Sequence, residues 1–321
     1  MVIAHLINDT RGLLACTLTC YSWYIAAVPH LHHTLTISAW YLYPGAELRA
    51  AHRLGLLPLV KKFQIHSGDP GDYSEFSPKR FGYFGLRHFR ALTNVQELGI
   101  DHMDIPSFTP SVQLYFGHFF PTLRSLAMGE PKGSYRQIVH FIGLFRHLED
   151  LKIVYNRADP QVPPGSDVTL IPPFVPPLRG RLTMCSTGEG LFNDMIDLFG
   201  GIRFRHLDIF NVCETQLLLN ACAETLETLR LYPTDPRGKQ RPQDNAWVLV
   251  DSFTASALWN FNLTRCKLLR TLEIRTRYLD RALLTCSPPA AASLLTYALL
   301  TITSPFSQRS LSFTGTLTSV T

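Results

Sequence analysis

The amino-acid sequence predicts an α/β fold built from stacked repeats, with parallel strands on one side and helices on the other. A nine-residue phrase, apolar-x-x-apolar-x-x-apolar-x-apolar, recurs along the chain. Its apolar-x-apolar ending has the period of two that places both apolar side chains on one face of a strand. Between the copies, apolar residues have helical spacing instead. With 321 residues, 46% of them hydrophobic, the chain can fill such a core.

The copies of the phrase set the repeat length. The clearest copies occupy residues 92–100, 120–128, 145–153, 223–231 and 266–274, and weaker copies end at Ile37, Ile65, Met184 and Ile209. Counted at the third apolar position, successive copies lie between 22 and 43 residues apart. The shorter steps fall in the leucine-rich-repeat range, and the longer steps require insertions.

The segments between copies are predicted to be amphipathic helices. Ile138, Phe141, Ile142 and Phe145 follow the i, i+3, i+4, i+7 pattern, and the residues at 112–119 and 192–199 repeat it. A strand, turn, helix and strand within about 25 residues require a crossover between parallel strands. Stacking such units predicts a solenoid with strands on its concave face and helices on its convex face. An ordinary α/β domain with coincidental leucine spacing is the alternative.

The N-terminal segment differs from the repeats. Asp9 and Thr10 offer an N-cap, and apolar residues then recur with helical spacing. This pattern predicts a compact helical hairpin within residues 1–33. The repeat region is predicted to cover residues 34–307, with a proline-rich insertion at 159–177 and polar loops at 66–90 and 232–246. Residues 308–321 form a Ser/Thr-rich tail, for which disorder and a last strand near Leu311 both stay open.

Several stretches resemble the leucine-rich repeats of F-box proteins, particularly a large fungal family. They are residues 141–153, 172–181, 199–204 and 226–238, the last reading LETLRLYPTDPRG. Residues 14–23, LACTLTCYSW, resemble the second half of an F-box, and the resemblance as a whole spans about residues 1–305. The family's opening Leu-Pro is not found, so residues 1–33 resemble a partial F-box module.

The resemblance implies a function as well as a fold. An F-box docks on the Skp-type adaptor of a cullin–RING ubiquitin ligase, so the chain would be the substrate-recognition subunit of an SCF-type ligase. The implied adaptor contacts are Leu13, Leu14, Leu18, Cys20 and Trp23. A leucine-rich-repeat scaffold without ligase coupling is the alternative. Because the opening turns are not found, docking is expected to lose several kcal/mol of apolar contact at about 25 cal/mol per Å².

The residues that alternate with the apolar strand positions define the predicted target-binding face. Its charged or titratable members are Lys62, Glu97, Asp150, Lys152, Arg181, His206, Asp208, Arg230 and Glu273. Four are basic and four are acidic, so the face lacks the basic excess that a polyanion requires. Mixed charges favour an unidentified protein target over nucleic acid. A solvated face without a ligand is the alternative.

Motifs for catalysis, metals and membranes are not found. The sequence contains no GxSxG, GxxxxGK[ST] or HExxH motif, and we expect neither an enzyme nor a cofactor. His206 and Asp208 are interpreted as two polar repeat positions rather than an acid–base pair. The seven cysteines lack CxxC spacing, which favours a reducing compartment, the cytoplasm or the nucleus. The two uncharged stretches, 12–28 and 282–304, are too polar or too short to span a bilayer.

Overall fold

A computed structural model describes residues 5–6, 9–38, 45–66, 88–107, 110–154, 178–185, 191–198, 201–210, 215–232, 263, 265–274, 300–303 and 310–314. The chain divides into two compact units, Met1–Leu148 with Asp159–Val175, and Glu149–Ala158 with Pro176–Thr321. The predicted proline-rich insertion and most of the two predicted polar loops lie outside the described residues.

The first unit begins with two packed helices, α1 (Thr10–Thr19) and α2 (Tyr21–Leu31). The Asp9 carboxylate accepts a hydrogen bond of 3.0 Å from the Gly12 backbone N–H, which caps α1 as the sequence predicts. Leu13, Cys16 and Ala27 form the small buried core between the helices.

Four parallel strands follow the helical hairpin. They are β1 (Thr34–Ser38), β2 (Lys62–His66), β3 (Glu97–Asp101) and β4 (Ser125–Gly129). The connecting helices are α3 (Gly45–Arg53), α4 (Pro110–Phe119) and α5 (Tyr135–Ile142), with 3-10 turns at Leu57–Leu59 and Ile105–Ser107. Each strand pairs in parallel with the next in sequence, so β1 to β4 lie side by side in chain order.

The apolar positions of the phrase form the core of this unit. In the copy at 92–100, for example, Leu92, Val95, Leu98 and Ile100 are all buried. Behind the strands lies an aromatic cluster in which neighbouring rings are 5.4 to 5.9 Å apart: Phe63 with Phe89, Phe89 with Phe116, and Phe116 with Phe141. The first two pairs are edge-to-face and the third is tilted, and ring contacts at these distances add to the free energy of burial. Tyr115, one of the apolar positions of the 112–119 pattern, is exposed on α4.

The polar residues inside the phrase link consecutive turns. The Asn94 amide donates to the Pro58 carbonyl at 2.7 Å, and the Thr122 hydroxyl donates to the Val95 carbonyl at 2.9 Å. Both bonds run from one repeat to the turn before it. Because these hydrogen bonds give the two carbonyl groups a partner, the tight turns can lie beside the buried strands without leaving those groups unpaired.

The second unit contains five parallel strands: β5 (Asp150–Val154), β6 (Leu178–Cys185), β7 (Ile202–Phe210), β8 (Thr228–Tyr232) and β9 (Thr271–Ile274). Its described helices are α6 (Leu191–Leu198) and α7 (Thr215–Ala221). Two further strands, β10 (Leu300–Thr303) and β11 (Ser310–Thr314), join antiparallel, with β11 paired to both β9 and β10.

The predicted α/β class with parallel strands is therefore confirmed within each unit. The helices predicted near 112–119, 138–145 and 192–199 are found as α4, α5 and α6. The antiparallel ending was not predicted. Of the two alternatives left open for the tail, the structure shows the strand over Ser310–Thr314. Within the described ranges, every helix is too short or too polar to cross a lipid bilayer.

Candidate interaction surface

The polar residues of the parallel strands stand in register across each unit. We call these residues the polar sheet face of the unit. In the first unit the rows are Lys62–Glu97–Ser125 and Gln64–Gly99–Ala127. In the second unit they are Asp150–Arg181–His206–Thr228–Thr271 and Lys152–Thr183–Asp208–Arg230–Glu273. Every position assigned to the target-binding face thus lies in one of these rows, and its binding role stays a prediction.

In the first unit the charges on the polar sheet face are paired and exposed. Lys62 Nζ lies 3.4 Å from Glu97 Oε2, with both side chains largely in solvent. Such a pair contributes little to stability. His66 Nδ1 lies 2.7 Å from Asp101 Oδ2 at the carboxyl end of the strands. Sequence reasoning missed this second pair, because the partners are 35 residues apart and their contact depends on the register of β2 and β3.

In the second unit Arg230 holds two carboxylates. Its Nε donates to Glu273 Oε2 at 2.9 Å and one of its terminal nitrogens lies 3.5 Å from Asp208 Oδ1. The two carboxylate side chains are only 9% and 13% exposed, whereas the Arg230 side chain is 34% exposed. These three predicted target contacts therefore engage one another. Because Asp208 faces Arg230, its interpretation as the acid partner of His206 finds no support in the geometry.

Arginines gather where β6 and β7 begin. In the backbone pairing of the two strands, Arg179 stands opposite Arg203 and Arg181 stands opposite His206. The register shifts between Gly180 and Arg181. Arg205 is the extra residue of β7 at this bulge, and its Nε lies 3.8 Å from Glu227 Oε1. Of these four arginines only Arg181 was assigned to the face from the sequence. The alternation of arginine with apolar or glycine residues at 178–182 and 202–205 was the signal for the others.

The two-helix hairpin presents apolar side chains to solvent. Its exposed large apolar residues are Leu14, Leu18, Tyr21, Trp23, Tyr24 and Ile25, and we call them the hairpin apolar cluster. Leu18 and Tyr21 are 88% and 76% exposed. Cys20 is also exposed, but Leu13, an implied adaptor contact, is 1% exposed. Leu13 packs inside the hairpin, so it can support this surface but not form it.

Sequence reasoning missed three members of the hairpin apolar cluster, Tyr21, Tyr24 and Ile25. Tyr24 and Ile25 follow Tyr21 at i+3 and i+4 on α2, so the spacing was visible in the sequence. That spacing does not tell which helical face is buried. The buried face is decided by the contact of Ala27 with Leu13 and Cys16 across the hairpin.

The cysteines and histidines of the described residues have structural positions. Cys16, Cys185, Cys222 and Cys266 are buried free thiols. Burial raises the pKa of Cys222 to about 12 and raises that of Cys266, which keeps both thiols protonated and unreactive. His30 and His33 line an open cleft of about 470 Å³, together with the 3-10 turn at Leu57–Leu59 and residues just before β2 and β3. In the described part of the chain, no group of three His, Cys, Asp or Glu residues could hold a metal ion.

No protein-family model matches the chain, and a comparison with curated proteins gives no significant match. The geometry of the two surfaces therefore carries the functional argument.

Proposed function

We propose that the chain is a non-catalytic protein-interaction subunit with two separate docking surfaces. The hairpin apolar cluster docks on the Skp-type adaptor of a cullin–RING ubiquitin ligase, and the polar sheet face binds the target protein. In this proposal the strand–helix units are leucine-rich repeats and residues 1–33 are a partial F-box module. The free cysteines fit a reducing compartment.

The observation that carries the proposal is the exposure of the hairpin apolar cluster. A hairpin whose own core consists of three buried side chains exposes six large apolar ones. Isolated exposed apolar residues are ordinary, but several of them close together on a small module mark an interaction site. Leu14 and Leu18 share one face of α1, and Tyr21, Tyr24 and Ile25 share one face of α2.

The polar sheet face fits the second part of the proposal. Its residues come from consecutive parallel strands, so they form a continuous row of side chains at spacings of about 4.8 Å. The apolar side chains of the same strands are committed to the core, which fixes the direction of the polar ones. A rigid surface with mixed charge suits a protein partner, for which complementary charges set specificity.

Binding to a purified Skp-type adaptor tests the ligase part of the proposal. Titration calorimetry with the full chain should detect a complex, and the Leu18→Ser/Tyr21→Ser variant should weaken it. Fully burying each of these side chains contributes about 1.5–3 kcal/mol. The double variant should therefore raise the Kd by at least about a hundredfold.

The matched control is Leu54→Ser. Leu54 is 71% exposed but lies just after α3, outside the hairpin, so this variant should bind the adaptor like the parent chain. Equal weakening by both variants would contradict docking through the hairpin. If the chain is well folded but does not bind the adaptor at all, the ligase proposal is rejected. The alternative, a scaffold without ligase coupling, would then be retained.

A further inference from the structure

The arginines at the start of β6 and β7 point to the chemistry of the target. We propose that Arg179, Arg181 and Arg203 form a docking site for an acidic, Asp/Glu-rich segment of a protein partner. This inference rests on the proposed function, because the arginines lie on and next to the polar sheet face of the second unit. It adds the class of side chain that the face recognises.

The register of β6 and β7 places two arginines side by side. Arg179 and Arg203 are direct neighbours in a parallel pair, which brings their backbones within about 4.8 Å. Both residues are exposed, whereas Leu178 and Phe204 alternate into the core. Two like charges directly opposite each other destabilise a sheet. A carboxylate bound between the guanidinium groups removes that repulsion.

Only some of the arginines near the start of β6 and β7 have a carboxylate partner among the described residues. Among the described residues, Arg205 is paired with Glu227, and Arg230 is paired with Asp208 and Glu273. Arg179, Arg181 and Arg203 form no ion pair with any described carboxylate. In the described part of the chain, these three are therefore the arginines of the cluster whose charge no carboxylate neutralises. Guanidinium groups bind carboxylates through two parallel hydrogen bonds, which makes them suited to this partner.

A close contact with residue 149 holds the backbone that carries the arginines in place. Gly180 has φ +91°, and a Cβ at this position would lie 2.0 Å from the Glu149 carbonyl oxygen. The next residue, Arg181, donates its backbone N–H to the same oxygen at 2.8 Å. This close approach fixes the bulge that sets Arg179 against Arg203 and Arg181 against His206. The guanidinium groups thus start from a backbone arranged before any ligand binds.

The surroundings favour an acidic peptide over a nucleic acid. Asp150 precedes Arg181 in the same row, and Glu227 lies beside Arg205, so a continuous phosphate backbone would meet carboxylates on both sides. A single-strand binding site also needs exposed aromatic rings for stacking bases. Along 178–185 and 202–209 the only aromatic side chain besides His206 is Phe204, which is buried. A short acidic segment fits this confined basic area.

Fluorescence anisotropy with the full chain tests the inference. The probes are labelled peptides of alternating glutamate and glycine, of alternating glutamine and glycine, and a labelled oligothymidine of matched charge. The glutamate peptide should bind at low salt, more tightly than the oligothymidine, and the glutamine peptide should not bind. Arg179→Gln/Arg203→Gln should weaken the glutamate peptide by at least about tenfold.

The matched control is Arg136→Gln/Arg146→Gln, which removes two exposed arginines from the first unit and changes the net charge equally. Equal weakening by the two double variants would reduce the effect to net charge and overturn the proposal. Tighter binding of the oligothymidine, or no binding of the glutamate peptide, would also overturn it.

A charge reversal separates loss of the site from loss of the fold. Arg179→Glu/Arg203→Glu should bind a lysine–glycine peptide at least about tenfold more tightly than the parent chain does. An unchanged affinity for the lysine peptide would contradict the site. Adaptor binding by these variants should remain normal, because the hairpin is untouched. Failure of the peptide site with intact adaptor binding would thus reject this inference alone.

Discussion

Substituting Gly180 by alanine should test how the sheet of the second unit is built. Gly180 has a positive φ of +91°, a backbone conformation that costs an L-residue about 1–2 kcal/mol. Its new Cβ would also lie 2.0 Å from the Glu149 carbonyl oxygen, a backbone atom that cannot swing away like the end of a side chain. Relief requires separating β6 from residue 149, which weakens the 2.8 Å bond from the Arg181 N–H.

The magnitude follows from adding these effects. Overpacking of this kind costs about 1–3 kcal/mol and the weakened hydrogen bond about 1 kcal/mol. Together with the conformational penalty, Gly180→Ala should lower the free energy of unfolding by about 3–6 kcal/mol. Gly201→Ala is the matched control, because Gly201 also has a positive φ, +109°, but nothing lies within 4 Å of its would-be Cβ. It should lose only about 1–2 kcal/mol.

Urea denaturation followed by circular dichroism measures both variants, with the slope checked for a change in cooperativity. Hydrogen exchange adds a local readout, since the Arg181 amide should lose protection in Gly180→Ala and keep it in Gly201→Ala. Equal destabilisation by the two substitutions would refute the reasoning. It would mean that β6 does not approach residue 149 closely and that the bulge does not fix the arginine register.

Three further predictions concern the ion pairs of Arg230 and the free thiols. Arg230→Met leaves Asp208 and Glu273 without their shared cation. Urea denaturation should show that the free energy of unfolding falls by about 1–3 kcal/mol, a range limited by the partial exposure of Arg230. Adding Asp208→Asn and Glu273→Gln should restore most of the lost stability. Because burial raises the pKa of Cys222 to about 12 from 9.0, only the unfolded chain ionises this thiol between those values. The free energy of unfolding should fall with rising pH there by up to about 1.4 kcal/mol per unit, and Cys222→Ala should lack that component. Mass spectrometry after alkylation of the native chain at about pH 8 should find exposed Cys20 modified and Cys222 protected.

The repeat core was readable from the sequence because its signals are local. Within the copy at 120–128, Phe120, Leu123, Leu126 and Met128 are all buried, as the phrase requires. A period of two in a strand and a period of 3.6 in a helix follow from backbone geometry alone. The same reasoning placed the polar residues of each strand correctly in rows. It left the strand near Leu311 as one of two alternatives and did not predict the antiparallel pairing of β11, which depends on how a distant segment returns to β9.

The candidate surfaces were only partly readable. The implied adaptor contacts included Leu13, which is buried, and omitted Tyr21, Tyr24 and Ile25, which are exposed. Helical spacing identifies an apolar stripe but not the side on which a neighbouring helix packs. In this hairpin both helices carry apolar residues on more than one face, so only the contact around Ala27 decides which residues face solvent.

By itself, the sequence determined the repeat, the parallel α/β class of each unit and the alternation of buried and polar strand residues, because each depends on neighbours along the chain. The tertiary structure alone decided that Arg230 joins Asp208 and Glu273, which lie 22 and 43 residues away, and that Arg179 stands opposite Arg203. Those pairings depend on the register between strands joined by connections of unequal length. A one-residue bulge at Arg205, opposite the step from Gly180 to Arg181, changes which charges meet, and nothing in local periodicity fixes where that bulge occurs.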